Sequence, residues 1–305
     1  MDIESKFSET DEKNKENKAS ESVAMDIIGS PKIEEYKLID KVPSPTQILQ
    51  NQFYITLYDN QTRNAAWVYE ILNKSTLADN VVYKIKDFKQ DESVHKYFRT
   101  PEGEDTYKDT GYDRGHLAAA ANHRWCQKAY KDTYWLSNAV PQQRGFNRGI
   151  WRTLENLCRA LAEKREVRNV HVYTGPLYLS KYKKDGKCFV EYEILGGKAV
   201  PTHLFKVIIV ENDDGKVLAP ECYKMPNEKP TDQEKLDNKG QSSIETCRSK
   251  LNQYKVGIEV IEKESGLIFE EREVKEESKD NQRNSRLKEE ITDETWKMPW
   301  TAENR

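Results

Sequence analysis

The feature that most restricts the fold is one strong amphipathic helix followed by a series of strand-like runs. Between residues 147 and 166, apolar residues recur every three or four positions, as in a helix with one face on a core. Four β-prone runs follow, at 170–174, 188–195, 203–210 and 217–225, with hairpin turn signals at 196–197 and 213–215. Because helices and strands do not alternate regularly, the pattern favours an α+β fold over a parallel α/β sheet.

The segment before this helix carries shorter patterns. Residues 53–58 are β-branched and aromatic and end in Asp59-Asn60, which predicts a strand. Residues 65–73 place apolar side chains at helical spacing, which predicts a helix. Residues 226–243 combine prolines with many charges and predict a surface loop.

Charge is distributed unevenly along the chain, whose net charge is −3. Residues 1–22 hold seven acids and four lysines, and residues 270–305 hold eleven acids and eight bases, so the two ends are acidic and the centre is basic. The N-terminal stretch is also poor in aromatic residues, a composition typical of disorder. We therefore expect a disordered acidic N-terminal tail at 1–45, a single folded domain at 46–270 and an acidic C-terminal extension at 271–305.

Several classes of protein are excluded or disfavoured by composition. No apolar run approaches the ~20 residues that span a bilayer, which excludes a membrane-spanning protein. The N-terminus lacks the apolar stretch of a secretion signal, and its acids argue against a mitochondrial presequence. The five cysteines form no CxxC pair and suit free thiols in a reducing compartment.

One short segment concentrates reactive side chains. Asp113-Arg114-Gly115-His116 follows a Gly111-Tyr112 turn, which places a histidine beside flexible backbone. An isolated histidine is more often a structural residue than a catalytic one. Here, however, residues 112–172 hold eleven bases against five acids, and such an excess is typical of phosphate binding.

Asn147 and Glu155 form a second candidate pair. They lie eight residues apart on the predicted helix, ~12 Å along its axis, so they cannot both bind one ion directly. Glu155 could instead hold a water of a cation bound at Asn147, and Mg²⁺ commonly binds with few protein ligands and several waters. The alternative is that Asn147 is an N-cap and Glu155 a helix-surface residue, and spacing alone favours that alternative.

The longer pattern resembles a known family. The run DRGHLAAAANHRWCQKAYKDTYWLSN, followed by PQ, FN, W and LE at 141, 146, 151 and 154, is similar to the DNA/RNA non-specific endonuclease family, and within it to the endonuclease G branch. The likeness covers roughly residues 50–270. It implies a single catalytic domain with a mixed-sheet ββα-metal (His-Me finger) nuclease fold, and a homodimer. It also implies a mitochondrial location, although the absence of a typical presequence leaves nucleus or cytosol as alternatives.

The resemblance implies a Mg²⁺-dependent endonuclease, with Mn²⁺ as a possible substitute, that cleaves DNA and RNA to 5′-phosphate and 3′-hydroxyl ends. His116 matches the family's general base, which activates water. Asn147 matches the single direct protein ligand of the metal. Glu155 matches the carboxylate that orders the metal's waters.

Five further residues complete the predicted site. Arg114 matches the arginine that contacts phosphate, and Asn138 matches the asparagine that supports the metal side of the site. Arg99 corresponds to an arginine shortly before the DRGH segment. Together with Arg144 and Arg148 of the basic region, Arg99 is predicted to bind nucleic acid.

Two alternatives belong to other classes of protein. A zinc site could use His116, His123 and Cys126, but the next histidine is His171, which is poorly spaced for a fourth ligand. A nucleic-acid-binding paralogue with weak or no catalysis is the second alternative. Because the residues that match the base, the metal ligand and the phosphate contact are all present, activity is favoured.

Overall fold

The structure is a computed structural model that describes residues 44–85, 87–103, 107–180, 182–229 and 243–269. The predicted tails fall outside these residues, apart from positions 44 and 45 at one end. Most of the predicted loop at 226–243 also falls outside them. In the described part of the chain, no helix is long and apolar enough to cross a membrane.

Seven strands form the central sheet, in the order β1-β2-β3-β6-β11-β12-β13. Their bounds are β1 Thr46–Gln50, β2 Tyr54–Asp59, β3 Asn64–Leu72, β6 Val167–Leu177, β11 His203–Asn212, β12 Glu221–Pro226 and β13 Lys255–Val256. All neighbouring strands in this sheet run antiparallel. The expected α+β class is confirmed, but the mixed sheet is wrong, because none of the connections between these neighbours is a parallel βαβ crossover.

Three two-stranded pairs accompany the sheet. They are β4 (Tyr112–His116) with β5 (Ala139–Gln143), β7 (Tyr182–Lys184) with β8 (Lys187–Phe189), and β9 (Ile194–Leu195) with β10 (Lys198–Ala199). The predicted hairpin at Gly196-Gly197 is confirmed, and both glycines have positive φ. The single strand predicted at 188–195 is wrong: positions 187–194 are exposed, so no buried face supports a continuous strand.

The helix predicted at 65–73 is wrong, since these residues form most of β3. Val68, Glu70 and Leu72 are buried on one face of the strand, which is a period of two. The inward position at Glu70 carries a carboxylate, which interrupts the apolar alternation and hides it in the sequence. The strand predicted at 53–58 is confirmed as β2, and those at 170–174 and 203–210 as parts of β6 and β11.

The helices within the described residues are short. They are α1 Gln127–Asp132, α2 Arg144–Phe146, α3 Arg152–Ala162, α4 Ile244–Leu251 and α5 Ile258–Ser265, with a π-helical turn at Asn147–Trp151. Short 3₁₀ turns lie at Lys74–Leu77, Ala120–His123, Leu136–Asn138 and Asn252–Tyr254. The predicted amphipathic helix is confirmed in α3, whose apolar face is fully buried.

Different helices pack against the two faces of the central sheet. On the inner face, Val68, Val172 and Leu204 pack in one cluster with Leu154 and Leu157 of α3. On the outer face, a smaller cluster joins residues of β11 and β12 to α5. The inner face therefore holds the main core. The segments that carry the polar residues of the candidate site lie on this side of the sheet.

Candidate active site

The β4–β5 pair positions His116 at the end of β4, opposite Ala139. Gly115 is needed just before it, because a Cβ there would lie 2.0 Å from the side chain of the buried Gln142. Gln142 Nε2 also donates to the His116 carbonyl at 3.4 Å. The glycine between Arg114 and His116 thus lets β4 and β5 approach each other closely next to the histidine.

The His116 ring packs against two aromatic rings, Phe88 and Tyr134, which also contact each other with centroids 5.1 Å apart. The centroids of Phe88 and Tyr134 are each 4.8 Å from that of His116, and the Nε2 atom of His116 is buried without a hydrogen-bond partner among the residues that the structure describes. Desolvation lowers the pKa of His116 to about 4; the His123 charge also lowers it, whereas Glu70 raises it. The imidazole is therefore neutral at pH 7, and one ring nitrogen is left to accept a proton.

Asp113, at the other end of β4, organises the start of the helical segment. Its carboxylate accepts from Asn147 Nδ2 at 3.1 Å, from Arg144 Nε at 3.2 Å and from Arg148 Nε at 2.8 Å. Burial raises the pKa of Asp113, but the hydrogen bonds from Arg148 and Asn147 outweigh it, and the net pKa lies below the ordinary value. With its amide nitrogen bound to Asp113, Asn147 has its amide oxygen left to bind a cation.

The local backbone decides between the two interpretations of Asn147. The N-cap of the helical segment is Gln143, whose side chain accepts from the Phe146 amide, so the interpretation of Asn147 as an N-cap is wrong. Asn147 instead begins the π-helical turn, and Gly149 within it has φ −105° and ψ −111°. The segment from Asn147 to Glu155 is thus not one ideal α-helix, and the ~12 Å separation expected for ideal geometry does not apply.

Glu155 lies in the first turn of α3 and is partly buried. Its interpretation as a plain helix-surface residue is therefore wrong. Burial raises the pKa of Glu155, while the charges of Lys206 and Arg159 lower it, and the net pKa is above the ordinary value. Basic groups around a partly buried carboxylate offset the penalty for its charged form.

Arg114 and Asn138 occupy different surroundings. The Arg114 guanidinium carbon lies 4.9 Å from the centre of the Tyr107 ring, and its buried Nε has no partner among the described residues. Asn138 is fully buried, and its side chain accepts from the Ala118 amide and donates to the carbonyls of Ala118 and Thr133. Asn138 therefore holds the chain just after His116, and its catalytic assignment stays a prediction.

The three arginines predicted to bind nucleic acid fall into two places. Arg144 and Arg148 are exposed and meet at Asp113, beside Asn147. Arg99 instead donates to the backbone carbonyls of Val94 and Glu92 within its own loop. The structure thus brings Arg144, Arg148 and Asn147 together, whereas the contacts of Arg99 are local.

The residues of the zinc alternative have other contacts. Cys126 Sγ accepts from the Ala129 amide as the cap of α1, and His123 Nε2 lies 3.0 Å from Glu70 Oε2. Within the described ranges, no group of three His, Cys, Asp or Glu side chains is placed to hold a metal ion. A single amide ligand such as Asn147 requires no such group, because Mg²⁺ keeps most of its waters.

Two features of the site were not predicted from the sequence. Asp113 lies within the motif, but no spacing rule indicates that it binds two arginines and Asn147. Glu70 lies in β3, within the segment predicted as a helix. Glu70 lies beneath the site because β3 pairs with β6 in the central sheet, and the prediction of a helix at 65–73 excluded such a pairing.

The site combines a ββ pair followed by a helix, a neutral buried histidine and a cluster of arginines. This combination defines a hydrolase site for an anionic, phosphate-bearing substrate. The comparisons with known proteins specify this class. Residues 36–276 match the family model of the DNA/RNA non-specific endonucleases, and the chain belongs to this family. The protein is therefore an endonuclease, and its family is one of metal-dependent nucleases.

Within the family the chain is similar to endonuclease G. The human protein named "Endonuclease G, mitochondrial" is 41% identical over 230 residues, which cover 75% of this chain and 71% of that protein. The mitochondrial nuclease of Saccharomyces cerevisiae is 39% identical over 236 residues, which cover 74% of this chain and 66% of that protein. A crystal structure of an EndoG/EndoGI complex has 39% identity and a TM-score of 0.61, and the match covers 75% of this chain and 87% of that chain.

Proposed function

We propose that this protein hydrolyses phosphodiester bonds of DNA and RNA in a Mg²⁺-dependent reaction, with Mn²⁺ as a substitute, and leaves 5′-phosphate and 3′-hydroxyl ends. The observation that carries the proposal is the buried Nε2 of a neutral His116, which has no hydrogen-bond partner in the described part of the chain. This histidine lies on the ββ pair from which the helical segment with Asn147 continues. We infer that β4, β5 and this helical segment form the ββα-metal (His-Me finger) motif of the family.

His116 acts as the general base in this proposal. Its neutral imidazole accepts a proton from water as the water attacks phosphorus, and the ring is held in place by Phe88 and Tyr134. The bond between phosphorus and the 3′-oxygen breaks, and the leaving 3′-oxygen takes a proton from solvent. Arg114, whose planar guanidinium rests on Tyr107, stabilises the negative charge that develops on the phosphate oxygens.

The donor set fits a hydrated Mg²⁺. Asn147 would hold it through its amide oxygen, and Glu155 would accept hydrogen bonds from its waters. When bound, the cation supplies positive charge that neutralises the phosphate. Asp113 contributes by fixing the Asn147 amide, and its bonds to Arg144 and Arg148 hold both guanidinium groups beside the ligand.

The proposed substrate range follows from the type of contact. Arginines and a metal bind the sugar-phosphate backbone and carry no information about the base sequence. We therefore expect cleavage of both DNA and RNA with little sequence preference. In the proposal, Arg99, Arg144 and Arg148 contact the nucleic acid.

The central test is cleavage of plasmid DNA and of a mixed-sequence RNA by the purified protein with and without Mg²⁺. His116→Ala should lower the rate by about 10²–10⁴-fold, the usual contribution of a general base. His95→Ala, at an exposed position outside the site, is the matched control and should cleave at the wild-type rate. Wild-type cleavage by His116→Ala would refute the base assignment, and an inactive wild type that still binds DNA would support the binding paralogue.

We also propose that residues 46–270 form the catalytic domain, with the acidic segments 1–45 and 271–305 outside it. The span of the family match, 36–276, supports this division. A protein made of residues 46–270 should retain wild-type activity, and loss of activity in a folded fragment would contradict the boundaries.

Assembly and location complete the proposal. We expect a homodimer, to be tested by light scattering of the full chain, where a monomer at micromolar concentration would contradict it. The human and yeast relatives carry "mitochondrial" in their names, which supports a mitochondrial location for this protein. Imaging of the tagged full chain tests this, and exclusion from mitochondria would favour nucleus or cytosol.

A further inference from the structure

A buried carboxylate lies beneath the site, on the inner face of the sheet. The Glu70 side chain is 1% exposed and the His123 side chain 4%, and Nε2 of His123 lies 3.0 Å from Oε2 of Glu70. Asn122 Nδ2 donates to the same oxygen at 3.1 Å. One carboxylate on β3 thus binds two consecutive residues of the 3₁₀ turn Ala120–His123, which follows His116 closely in the chain.

The same turn is bound to α3. Arg159 Nη1 donates to Asn122 Oδ1 at 2.8 Å, and a second Arg159 nitrogen donates to Asn156 of the same helix. Arg159 lies one helical turn after Glu155. A continuous chain of hydrogen bonds therefore joins β3, the turn behind His116 and the helix that carries Glu155.

A buried cation completes this polar cluster. Lys206 is 1% exposed on the interior strand β11; its Nζ donates to Thr174 Oγ1 at 2.6 Å and lies 5.0 Å from the centre of the Trp151 ring. Its charge acts on both Glu70 and Glu155. The inner core thus contains charges of both signs directly under the proposed catalytic groups.

Such a cluster is poorly explained by stability alone. Buried charges lose much hydration, and apolar side chains of similar volume often stabilise a core equally well or better. What a charged, hydrogen-bonded cluster provides is a fixed geometry, since each charged group is costly in any arrangement that leaves it unpaired.

We propose that Glu70, with His123 and Asn122, is a positioning residue of the nuclease site, which fixes the segment after His116 against α3 and so sets the distance between His116 and Glu155. The inference rests on the proposed function and adds residues that act through others. Glu70 makes its contacts within the core, so its effect is on the arrangement of the catalytic groups.

Glu70→Gln tests the proposal, because glutamine keeps the size of the side chain and an accepting oxygen but removes the charge. The full-length variant is assayed on plasmid DNA well below its melting midpoint, with the Mg²⁺ concentration varied. We expect the half-saturating Mg²⁺ concentration to rise by about tenfold, the usual effect of residues that support a metal site, with the KM for DNA changed less than about twofold. A smaller folded fraction would lower the rate without moving the half-saturating Mg²⁺ concentration.

Glu211→Gln is the matched control, because Glu211 belongs to a glutamate–histidine pair on the outer face of the same sheet. It should match the wild type in kcat and in Mg²⁺ dependence. If Glu70→Gln melts without a cooperative transition, Asn122→Ala tests the proposal instead. This variant removes the hydrogen bond to Arg159 and leaves the Glu70–His123 pair in place. It should raise the half-saturating Mg²⁺ concentration by about tenfold as well.

The outcomes separate the two proposals. A folded Glu70→Gln protein, or failing that Asn122→Ala, with the half-saturating Mg²⁺ concentration of the wild type overturns the positioning role. A wild-type protein without nuclease activity refutes the proposed function instead. Equal losses in Glu70→Gln and Glu211→Gln would also overturn the proposal, because the effect would then not depend on the connection to the site.

Discussion

Two glutamate–histidine pairs lie on opposite faces of the same sheet. Glu70 and His123 are 3.0 Å apart on the inner face, and Glu211 and His171 are 3.2 Å apart on the outer face. The two pairs are close in the sheet, since His171 is the strand partner of Ile71, the residue after Glu70. Their chemistry is the same, so differences between them reflect their surroundings.

The inner pair is almost fully buried, whereas the outer histidine and glutamate side chains are 22% and 15% exposed. The outer pair is surrounded by further partners near solvent: Tyr69 Oη is 2.7 Å from His171 Nδ1, and Asn169 Nδ2 donates to Glu211 at 2.6 Å. The inner pair is connected to the segment behind His116. The positioning role proposed for Glu70 therefore depends on burial and connectivity and not on the pairing itself.

The largest expected difference between the pairs is in stability. Glu70→Ala leaves His123, Asn122 and Lys206 in the core without their carboxylate, and removal of one partner from a buried pair destabilises by about 3–5 kcal/mol. Glu211→Ala removes a group near water and should lower the denaturant midpoint much less. Urea unfolding of both variants measures this, and equal shifts in midpoint would contradict the contrast between the faces.

A smaller difference is expected in how stability depends on pH. Because the pKa of His116 is lowered to about 4 from an ordinary 6.5, the unfolded chain binds this proton between those values and the folded chain does not. Wild-type stability should therefore fall as pH falls from 6.5 to 4, and His116→Gln should have a flatter profile in that window. The comparison is made by urea unfolding across the window.

Glu211→Gln is the control for this profile. Hydrogen bonds from Asn169 and His171 lower the pKa of Glu211, so its contribution to stability is present above the ordinary carboxyl pKa and is lost below it. Between pH 6.5 and about 4.5 the Glu211→Gln protein should retain the wild-type slope. An unchanged slope in His116→Gln would show that His116 titrates normally in the folded protein.

The smallest expected effect is in salt dependence. Roughly 1 M salt screens charges near water over about 3 Å, whereas buried pairs are screened much less. The effect of Glu211→Gln on the unfolding midpoint should therefore shrink in 1 M NaCl, and that of Glu70→Gln should persist. If both effects shrink equally, the inner pair is accessible to solvent in solution.

Much of the fold could be predicted from local patterns. The apolar period of α3 and the β-branched runs of β2, β6 and β11 were correct, because their side chains repeat with the period of the element they form. β3 was mistaken for a helix because an inward position carries Glu70 in place of an apolar residue. The exposed stretch after Phe189 was predicted as strand from composition, but it lacks a buried face.

The candidate site was predicted in part for a similar reason. His116 and Asn147 were singled out by a dense motif and a fixed spacing, which are properties of the sequence. The role of Asp113 and the network of Glu70 were not, because their partners are distant in the chain. Asn147 lies 34 residues after Asp113, and Asn122 lies 52 residues after Glu70.

The sequence by itself determined the α+β class, the apolar face of α3 and the family to which the nuclease motif belongs, since these depend on residue type and on spacing within one segment. Only the tertiary structure decided which polar side chains are buried together. It turned Asn147 toward Asp113 and placed Glu70 beneath His116 and Glu155. Burial and pairing of charges depend on strand order and on contacts between distant segments, and no local pattern encodes them.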